Sequence, residues 1–389
     1  MSNSLSVFRP TTIGPLNLMN HFMRSATWDG YAEADGTPKD EMLEMLVYLA
    51  QGKVGLITTT AMTVNKKELC PGTFGMCKEE HVEPYLNLFE SMQLRGNKVM
   101  VQINHQGLDL TNNGNPIAYV PTIIDEKNRN LRELTNSQIE DVIQEFINSV
   151  KLVEQTGADA VQIHCAHGFL LSSFLSPALN RRNDKWGGSM ENRTRIVKEI
   201  IKESKKIVKR PMAFSIKFNG DDYLKGGITP ESAPDIVNEL VDYVDLFEVS
   251  CGASKKMFQI RSTFNRPALS KGVPKDKLQS ILQQAKESFE GAEFYEEYNR
   301  KAAELIRKKV PKAKLALVGG NRDLYKMEKL IKENVVDLVS LSRPLLKNPF
   351  LVKEMEDGKT TKSDCMNCGA CIVNQLDGIY CHINHERIW

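Results

Sequence analysis

No run in this chain of 389 residues approaches the roughly 18 consecutive apolar residues that a membrane helix needs. The opening Met1-Ser2-Asn3-Ser4-Leu5-Ser6-Val7-Phe8 lacks the basic segment and apolar stretch of a signal peptide, so a cytoplasmic protein without membrane association is expected. Charge of one sign is lacking as well: 51 Lys and Arg stand against 49 Asp and Glu, and a formal net charge of +2 gives no broad basic field for nucleic acid. No repeat of short period marks a solenoid. No Gly-x-Gly-x-x-Gly turn is present, which disfavours a doubly wound dinucleotide-binding sheet. A disulfide framework is missing too, since four of the eight cysteines crowd the last 25 residues and the others, Cys70, Cys77, Cys165 and Cys251, are scattered.

What is present is alternation. Short apolar runs at 21–26, 54–59, 99–103, 160–164, 213–217, 246–249, 315–318 and 338–341 are separated by stretches of helical period. The clearest helix is expected over 190–209, where Ile196, Val197, Ile200, Ile201 and Ile207 form one apolar stripe. Ser189 can cap its start, and Glu191 suits the positive end of its dipole. A second helix is expected over 140–155, through Val142, Ile143, Phe146, Val150 and Val153. Eight strand-then-helix units predict an α/β fold, a (β/α)8 TIM barrel, with the doubly wound sheet as runner-up. The barrel should occupy 1–358, with 5–17 capping its floor and a cysteine-rich extension at 359–389. A long insertion is expected around 250–308, holding Lys255, Lys256, Arg261, Arg266, Lys271, Lys275 and a helix over 277–289. It reads either as a solvated face or as a lid over an acidic or large substrate.

In such a barrel the strand C-termini form the active face. In chain order they read Ser25-Ala26-Thr27-Trp28, Thr60-Ala61, Gln102 with His105, His164 with His167, Lys217, Gly319-Gly320 and Ser342-Arg343. His164 and His167 are two hydrogen-bond donors aimed at one oxygen, or metal ligands, or a structural pair; no third metal ligand lies nearby in sequence. Flavin mononucleotide (FMN) would find its needs met on this face. Gly319-Gly320-Asn321 ahead of a helix offers backbone N–H groups to the phosphate and Arg343 a cation, although the same glycines suit an ordinary tight turn. Gln102 can pair with the pyrimidine edge as donor and acceptor. Lys217 can place a positive charge beside an anionic reduced ring, or serve as a salt-bridge partner. Ser25, Ala26 and Ala61 are small enough to let a flat ring approach the backbone.

After His164-Cys165-Ala166-His167-Gly168-Phe169 come Leu175-Ser176-Pro177 and then Asn180-Arg181-Arg182-Asn183-Asp184-Lys185-Trp186-Gly187-Gly188-Ser189-Met190-Glu191-Asn192-Arg193. This string resembles the central signature of the old yellow enzyme family of flavin-dependent ene reductases. The resemblance covers roughly 7–355 and includes Asn20, Gln102-Ile103-Asn104-His105, and Gly320 with Arg343. It implies a single (β/α)8 barrel with tightly held, non-covalent FMN. Hydride would come from NADH or NADPH and pass from flavin N5 to the β-carbon of an unsaturated carbonyl substrate. His164 and His167 would hold the carbonyl oxygen. Gln102, Lys217 and Arg343 would bind flavin, and Ser25, Ala26, Ala61 and Gly320 would line it. Thr27, Gly319 and Ser342 are counted with them as cofactor-binding strand ends.

Two residues depart from the family. Phe169 stands where many members carry a tyrosine that looks like the acid protonating the α-carbon, and phenylalanine has no proton to give. Tyr31 is the first substitute as that acid, with Tyr223 or water as the others. Trp28 occupies a position that is often smaller and polar, so it should reshape the pocket.

The tail reads Cys365-x2-Cys368-x2-Cys371, with Cys381 nine intervening residues later. Three close thiolates and one distant one can wrap a [4Fe–4S] cluster, and longer relatives similar to dienoyl-CoA reductase and trimethylamine dehydrogenase hold one just after the barrel. Zinc is the rival, with His382 and His385 as further ligands, and a metal-free tail is the third reading. In those relatives a further flavin and nicotinamide domain follows. Here the sequence runs only to Trp389, so a cluster would call for a redox partner protein or serve structure alone. The leading expectation is therefore an FMN-dependent reductase of activated C=C bonds. An electron-transfer flavoprotein fed by a partner is second, and a non-catalytic binding barrel third. Assembly as a homo-oligomer is compatible with all three.

Overall fold

The computed structural model describes residues 5–112, 116–253, 294–373, 380, 381 and 383, together with positions 275, 276, 278–280 and 283. Eight parallel strands follow one another: β1 (Phe22–Arg24), β2 (Leu56–Thr63), β3 (Lys98–Asn104), β4 (Ala160–Cys165), β5 (Ala213–Asn219), β6 (Leu246–Ser250), β7 (Leu315–Val318) and β8 (Leu338–Leu341). Each pairs with its sequence neighbour, and β8 pairs with β1, so the sheet closes into the expected barrel. Closure leaves no sheet edge, which removes the doubly wound alternative. Every expected strand is found; β2 runs to Thr63 rather than to position 59 because it carries a β-bulge between Thr58 and Ala61.

The barrel interior is built in layers because side chains alternate faces along a strand. Met23, Leu56, Met100, Ala160, Ala213, Leu246, Ala316 and Leu338, one from each strand, form an apolar floor with Ile13, Leu16 and Leu18. Those last three belong to an antiparallel hairpin, Thr11–Ile13 with Leu16–Leu18, whose turn uses Gly14 at φ 51°. Segment 5–17 thus plugs the floor, as its Pro and Gly turns suggest. Two residues above the floor the layer turns polar, with Thr58, Gln102, Gln162, Ser215, Glu248 and Ser340 all buried. On β1 the residue at that level is Ser25, also buried and just past the strand end; two further on, on the other strands, come His164, Lys217, Ser250 and Ser342.

Helices pack outside the barrel. The clearest one spans Met190–Ile207; Ser189 Oγ accepts from Asn192 N, and Ile196, Val197, Ile200 and Ile201 are buried. Ile207, expected in the same stripe, is exposed at 39% as the last residue of the helix. The helix expected over 140–155 begins earlier, at Asn136–Gln155, since Thr135 and Gln138 form a reciprocal capping box. A small sheet of Leu108–Asp109, Ile117–Val120 and Leu131–Glu133, not expected from sequence, covers the segment after β3. Most of the basic insertion and its helix over 277–289 lie outside the described residues; positions 278–280 and 283 of that helix are helical. Among the described residues no helix is long and apolar enough to cross a membrane.

Candidate active site

His164 lies at the end of β4, and His167 follows in a turn where its own φ is 65° and that of Gly168 is 79°. A non-glycine residue held there needs an external restraint. Asn219, at the end of β5, supplies it by accepting the backbone N–H of His167 at 3.2 Å. The two imidazole rings stand 5.0 Å apart at 76°, and His167 Nε2 lies 2.8 Å from Ser250 Oγ. Burial pushes the His164 imidazole well below its ordinary range, assisted by His167 and Lys217. Burial and Lys217 push His167 down to about 3. Both rings are therefore neutral at physiological pH, and each keeps one N–H to donate. Among the described residues nothing hydrogen-bonds His164 Nδ1, a buried polar atom that can be satisfied by a ligand.

Lys217 sits beside this pair in the β4–β5 register, opposite His164. Its Nζ donates to Ser25 Oγ at 2.7 Å and is 3.6 Å from Glu248 Oε1. Burial lowers the Lys217 pKa, and Glu248 opposes that shift. Gln102 Nε2 donates to Gln162 Oε1 at 2.6 Å, leaving one N–H and its own oxygen for other partners. The bulge in β2 places Ala61 opposite Gln102. Thr27 Oγ1 and Ser342 Oγ are 2.8 Å apart and tie the mouth end of β1 to that of β8; Ala26, next to Thr27 in the chain, is half-buried. Ser25, Ala26, Thr27, Ala61, Gln102, Lys217 and Ser342 thus meet around one barrel mouth with His164 and His167. Their donor set suits a flavin, whose ring edge needs paired hydrogen bonds and whose reduced form needs a cation.

Other expected residues are placed differently. At Gly319 (φ 121°) a Cβ would lie 2.5 Å from Tyr298 Cε2, and at Gly320 (φ 78°) 2.8 Å from Glu297 N. Both glycines are thus required for close approach of segment 295–299, which satisfies the tight-turn reading by itself. Arg343 opens the short helix Arg343–Lys347 and lines a cavity shared with Cys365, Cys368, Cys371 and Cys381. His105, read as part of the strand-end set, turns instead to Glu68 and Glu145: Nδ1 is 2.8 Å from Glu68 Oε1 and Nε2 3.3 Å from Glu145 Oε2. Tyr31 lies buried in the main hydrophobic cluster, on the loop after β1. Trp28 is partly exposed and donates from Nε1 to Gly72 O at 2.8 Å. The Phe169 ring is 5.1 Å from that of His164.

Sequence reasoning missed Gln162, Asn219, Glu248 and Ser250. Glu248 and Gln162 carried a signal: each is a polar residue inside an apolar strand pattern, two positions above a floor residue. Asn219 and Ser250 carried none.

The tail docks on the barrel. Leu324 N donates to Thr361 O at 2.9 Å, Ser363 N to Arg322 O at 2.9 Å, and Lys347 pairs with Asp364 at 2.8 Å. Burial raises the thiols of Cys368, Cys371 and Cys381, that of Cys371 to about 12, while Arg343 beside Cys368 and Cys371 and Lys347 beside Cys381 work against it. Among the described residues no three His, Cys, Asp or Glu side chains are grouped tightly enough to hold a single metal ion. His382 and His385 lie outside the described residues.

Comparison with known proteins identifies the barrel. The profile of the NADH:flavin oxidoreductase / NADH oxidase family matches residues 6–241. An NADPH dehydrogenase of Clostridium acetobutylicum is 29% identical over 90% of this chain and 94% of its own length. Among solved structures, a 2-naphthoyl-CoA reductase in complex with 2-naphthoyl-CoA superposes with a TM-score of 0.78 at 24% identity, covering 99% of this chain and 57% of its own, so this chain spans a little over half of that one. An old yellow enzyme homologue of Zymomonas mobilis superposes with a TM-score of 0.69 at 19% identity, over 92% of this chain and 94% of its own. With more than half of its length matched and a closed barrel carrying these strand ends, the chain belongs to the NADH:flavin oxidoreductase / NADH oxidase family, the old yellow enzyme family, and is an oxidoreductase of the FMN- and NAD(P)H-dependent kind.

Proposed function

We propose that this protein reduces an activated C=C bond of the enone or enoate type. The observation that carries the reading is the pair of neutral imidazoles 5.0 Å apart at the end of β4, His164 buried and His167 half-buried, with Lys217 facing them from β5. FMN, held by Gln102, Lys217 and the strand ends, would supply the hydride chemistry between NAD(P)H and the β-carbon. His164 and His167 donate to the substrate carbonyl oxygen, where negative charge develops as the enolate forms. Such preorganised donors act most strongly in the transition state. Neutral rings suit this role, because they donate a hydrogen bond without transferring a proton to the oxygen. Lys217 holds positive charge beside the flavin. Gln102 pairs with its pyrimidine edge, while Ser25, Ala26, Thr27, Ala61 and Ser342 shape the mouth around the ring. Arg343, with the backbone of Gly319 and Gly320, is assigned to the phosphate end.

Protonation of the α-carbon falls to Tyr31, Tyr223 or water, since Phe169 brings no proton to its place beside His164. Phe169→Tyr would put a phenol there. Turnover on simple enones is expected to rise roughly tenfold or more in that variant, and an unchanged rate would mean that the proton arrives by another route.

A second reading rests on one observation: Cys365, Cys368, Cys371 and Cys381 line a single cavity with Arg343. Four thiols around a cavity, rather than around a point, favour a [4Fe–4S] cluster over zinc, and Arg343 can offset the negative charge of the thiolates. Through it the flavin would exchange electrons with a partner protein. One anaerobic preparation tests both readings. Flavin absorption bands are expected, bleached by NAD(P)H and restored by an enone. Iron with acid-labile sulfide is expected alongside; zinc or neither would remove the cluster. Bleaching by a reduced ferredoxin-type donor but not by nicotinamide would favour the partner-fed reading over the reductase.

A further inference from the structure

We propose that Glu248 is a positioning residue that sets, from beneath, both the amide orientation of Gln102 and the charge of Lys217; this rests on the assignment of those two side chains to the flavin. Glu248 lies at the middle of β6, fully buried within the polar layer of the barrel. Its Oε2 accepts from Gln162 Nε2 at 3.1 Å, and its Oε1 accepts from Ser340 Oγ at 2.7 Å and lies 3.6 Å from Lys217 Nζ. One carboxylate thereby joins side chains of β4, β5 and β8, and through Gln162 it reaches Gln102 on β3.

The direction of these bonds follows from donor chemistry. The two ends of a glutamine amide have nearly the same shape and opposite polarity. Packing alone therefore cannot decide which end of Gln102 faces which way. A carboxylate accepts and does not donate, so Gln162 must present its NH2 to Glu248. The same NH2 serves Ser215 Oγ at 3.2 Å. Gln162 Oε1 is then left facing β3, and Gln102 must give it an N–H, at 2.6 Å. Gln102 retains its oxygen and one N–H in a fixed order, which is the pattern a pyrimidine edge reads. The other arm acts on Lys217: burial and the buried Arg24 guanidinium disfavour its ammonium, and Glu248, 3.6 Å away, is the main group that favours it, with Cys251 adding to it. A single buried charge therefore prepares two flavin-facing groups on different strands.

Glu248→Gln keeps the volume and removes both the charge and the acceptor-only rule. Full-length protein is freed of flavin and titrated with FMN, and the flavin midpoint potential is followed against pH. FMN affinity of Glu248→Gln is expected to fall roughly tenfold. Its potential should gain a break with pH, absent from the parent, where Lys217 loses its proton. The double variant Gln162→Glu/Glu248→Gln moves the carboxylate two strands over, from β6 to β4 on the other side of β5. An acceptor-only group again faces Gln102, so FMN affinity should return, while the break persists because position 162 is in register with Ser215, whereas position 248 is in register with Lys217 itself. A merely structural role would give no such split. Parent-like affinity and pH profile in Glu248→Gln overturn the proposal, and so does a double variant no tighter than the single one. If the single variant does not fold, the double one, equal to the parent in charge and size, still decides: affinity tenfold or more below the parent overturns it. A parent that binds no FMN would instead defeat the flavin reading itself.

Discussion

Replacing His164 with alanine is expected to slow reoxidation of the reduced flavin by an enone by about 10²–10³-fold while leaving flavin reduction by nicotinamide nearly unchanged. The magnitude is that of one oxyanion donor, because the ring contributes an N–H where negative charge grows on the substrate oxygen. Stopped-flow separates the two half-reactions. Equal losses in both would show that His164 serves the flavin or the fold and not the substrate oxygen. The pH profile is a second reading of the same site. Since His167 titrates near 3 and His164 is also held well below its ordinary range, neither ring gains a proton between about pH 5 and 8. The oxidative half-reaction should therefore show no imidazole break across that interval. A break near 6.5 would mean that at least one ring is solvated in the working enzyme.

Glu68→Ala is expected to cost about 3–5 kcal/mol of stability, the largest loss anticipated for a single substitution outside the mouth. Glu68 is completely buried. It takes His105 Nδ1 at 2.8 Å, Thr63 Oγ1 at 2.5 Å, and the backbone N–H groups of Gln106, Gly107 and Leu108 at 3.0, 2.8 and 3.0 Å. Removing the carboxylate strips the anion from a buried imidazolium and orphans the amides of the turn after β3. Burial alone would lower the His105 pKa, but Glu68 and Glu145 outweigh it and raise it to about 9. The folded state thus binds a proton that the unfolded chain has released above about 6.5. That stabilisation, roughly 3 kcal/mol, is complete below pH 6.5 and is lost as the pH climbs through 9. Urea midpoints at pH 6 and pH 9.5 should differ more in the parent than in Glu68→Ala. A variant with the parent's pH dependence would show that His105 takes its proton from another partner.

These two sites differ in how far they can be read from the chain alone. The histidine pair is local: both rings belong to one strand end and its turn, so their spacing in sequence already fixes their neighbourhood. Ser25, Gln102, Lys217 and Ser342 were reachable as well, because each lies at a strand end and a parallel barrel brings all strand ends to one rim. The clamp around His105 was not. Its partners Glu68 and Glu145 sit 37 and 40 positions away, on a turn after β2 and on the helix after the small sheet, and nothing in their local pattern distinguishes them from surface carboxylates. From sequence His105 accordingly reads as part of the rim. The glycines show the same limit. Gly319-Gly320 is legible as a turn, but the segment 295–299 that approaches too closely for any Cβ there is not.

By itself the sequence determined the barrel, its floor and which strand ends form its rim. A strand's two-residue period and a helix's stripe are written in adjacent residues, and eight repeats of that alternation allow few closed arrangements. Tertiary structure alone decided protonation and polarity: that the imidazoles are neutral, that His105 is charged, and that Glu248 faces Lys217, Gln162 and Ser340. Those properties depend on desolvation and on charges within a few ångströms, and burial and close approach exist only once distant segments have packed.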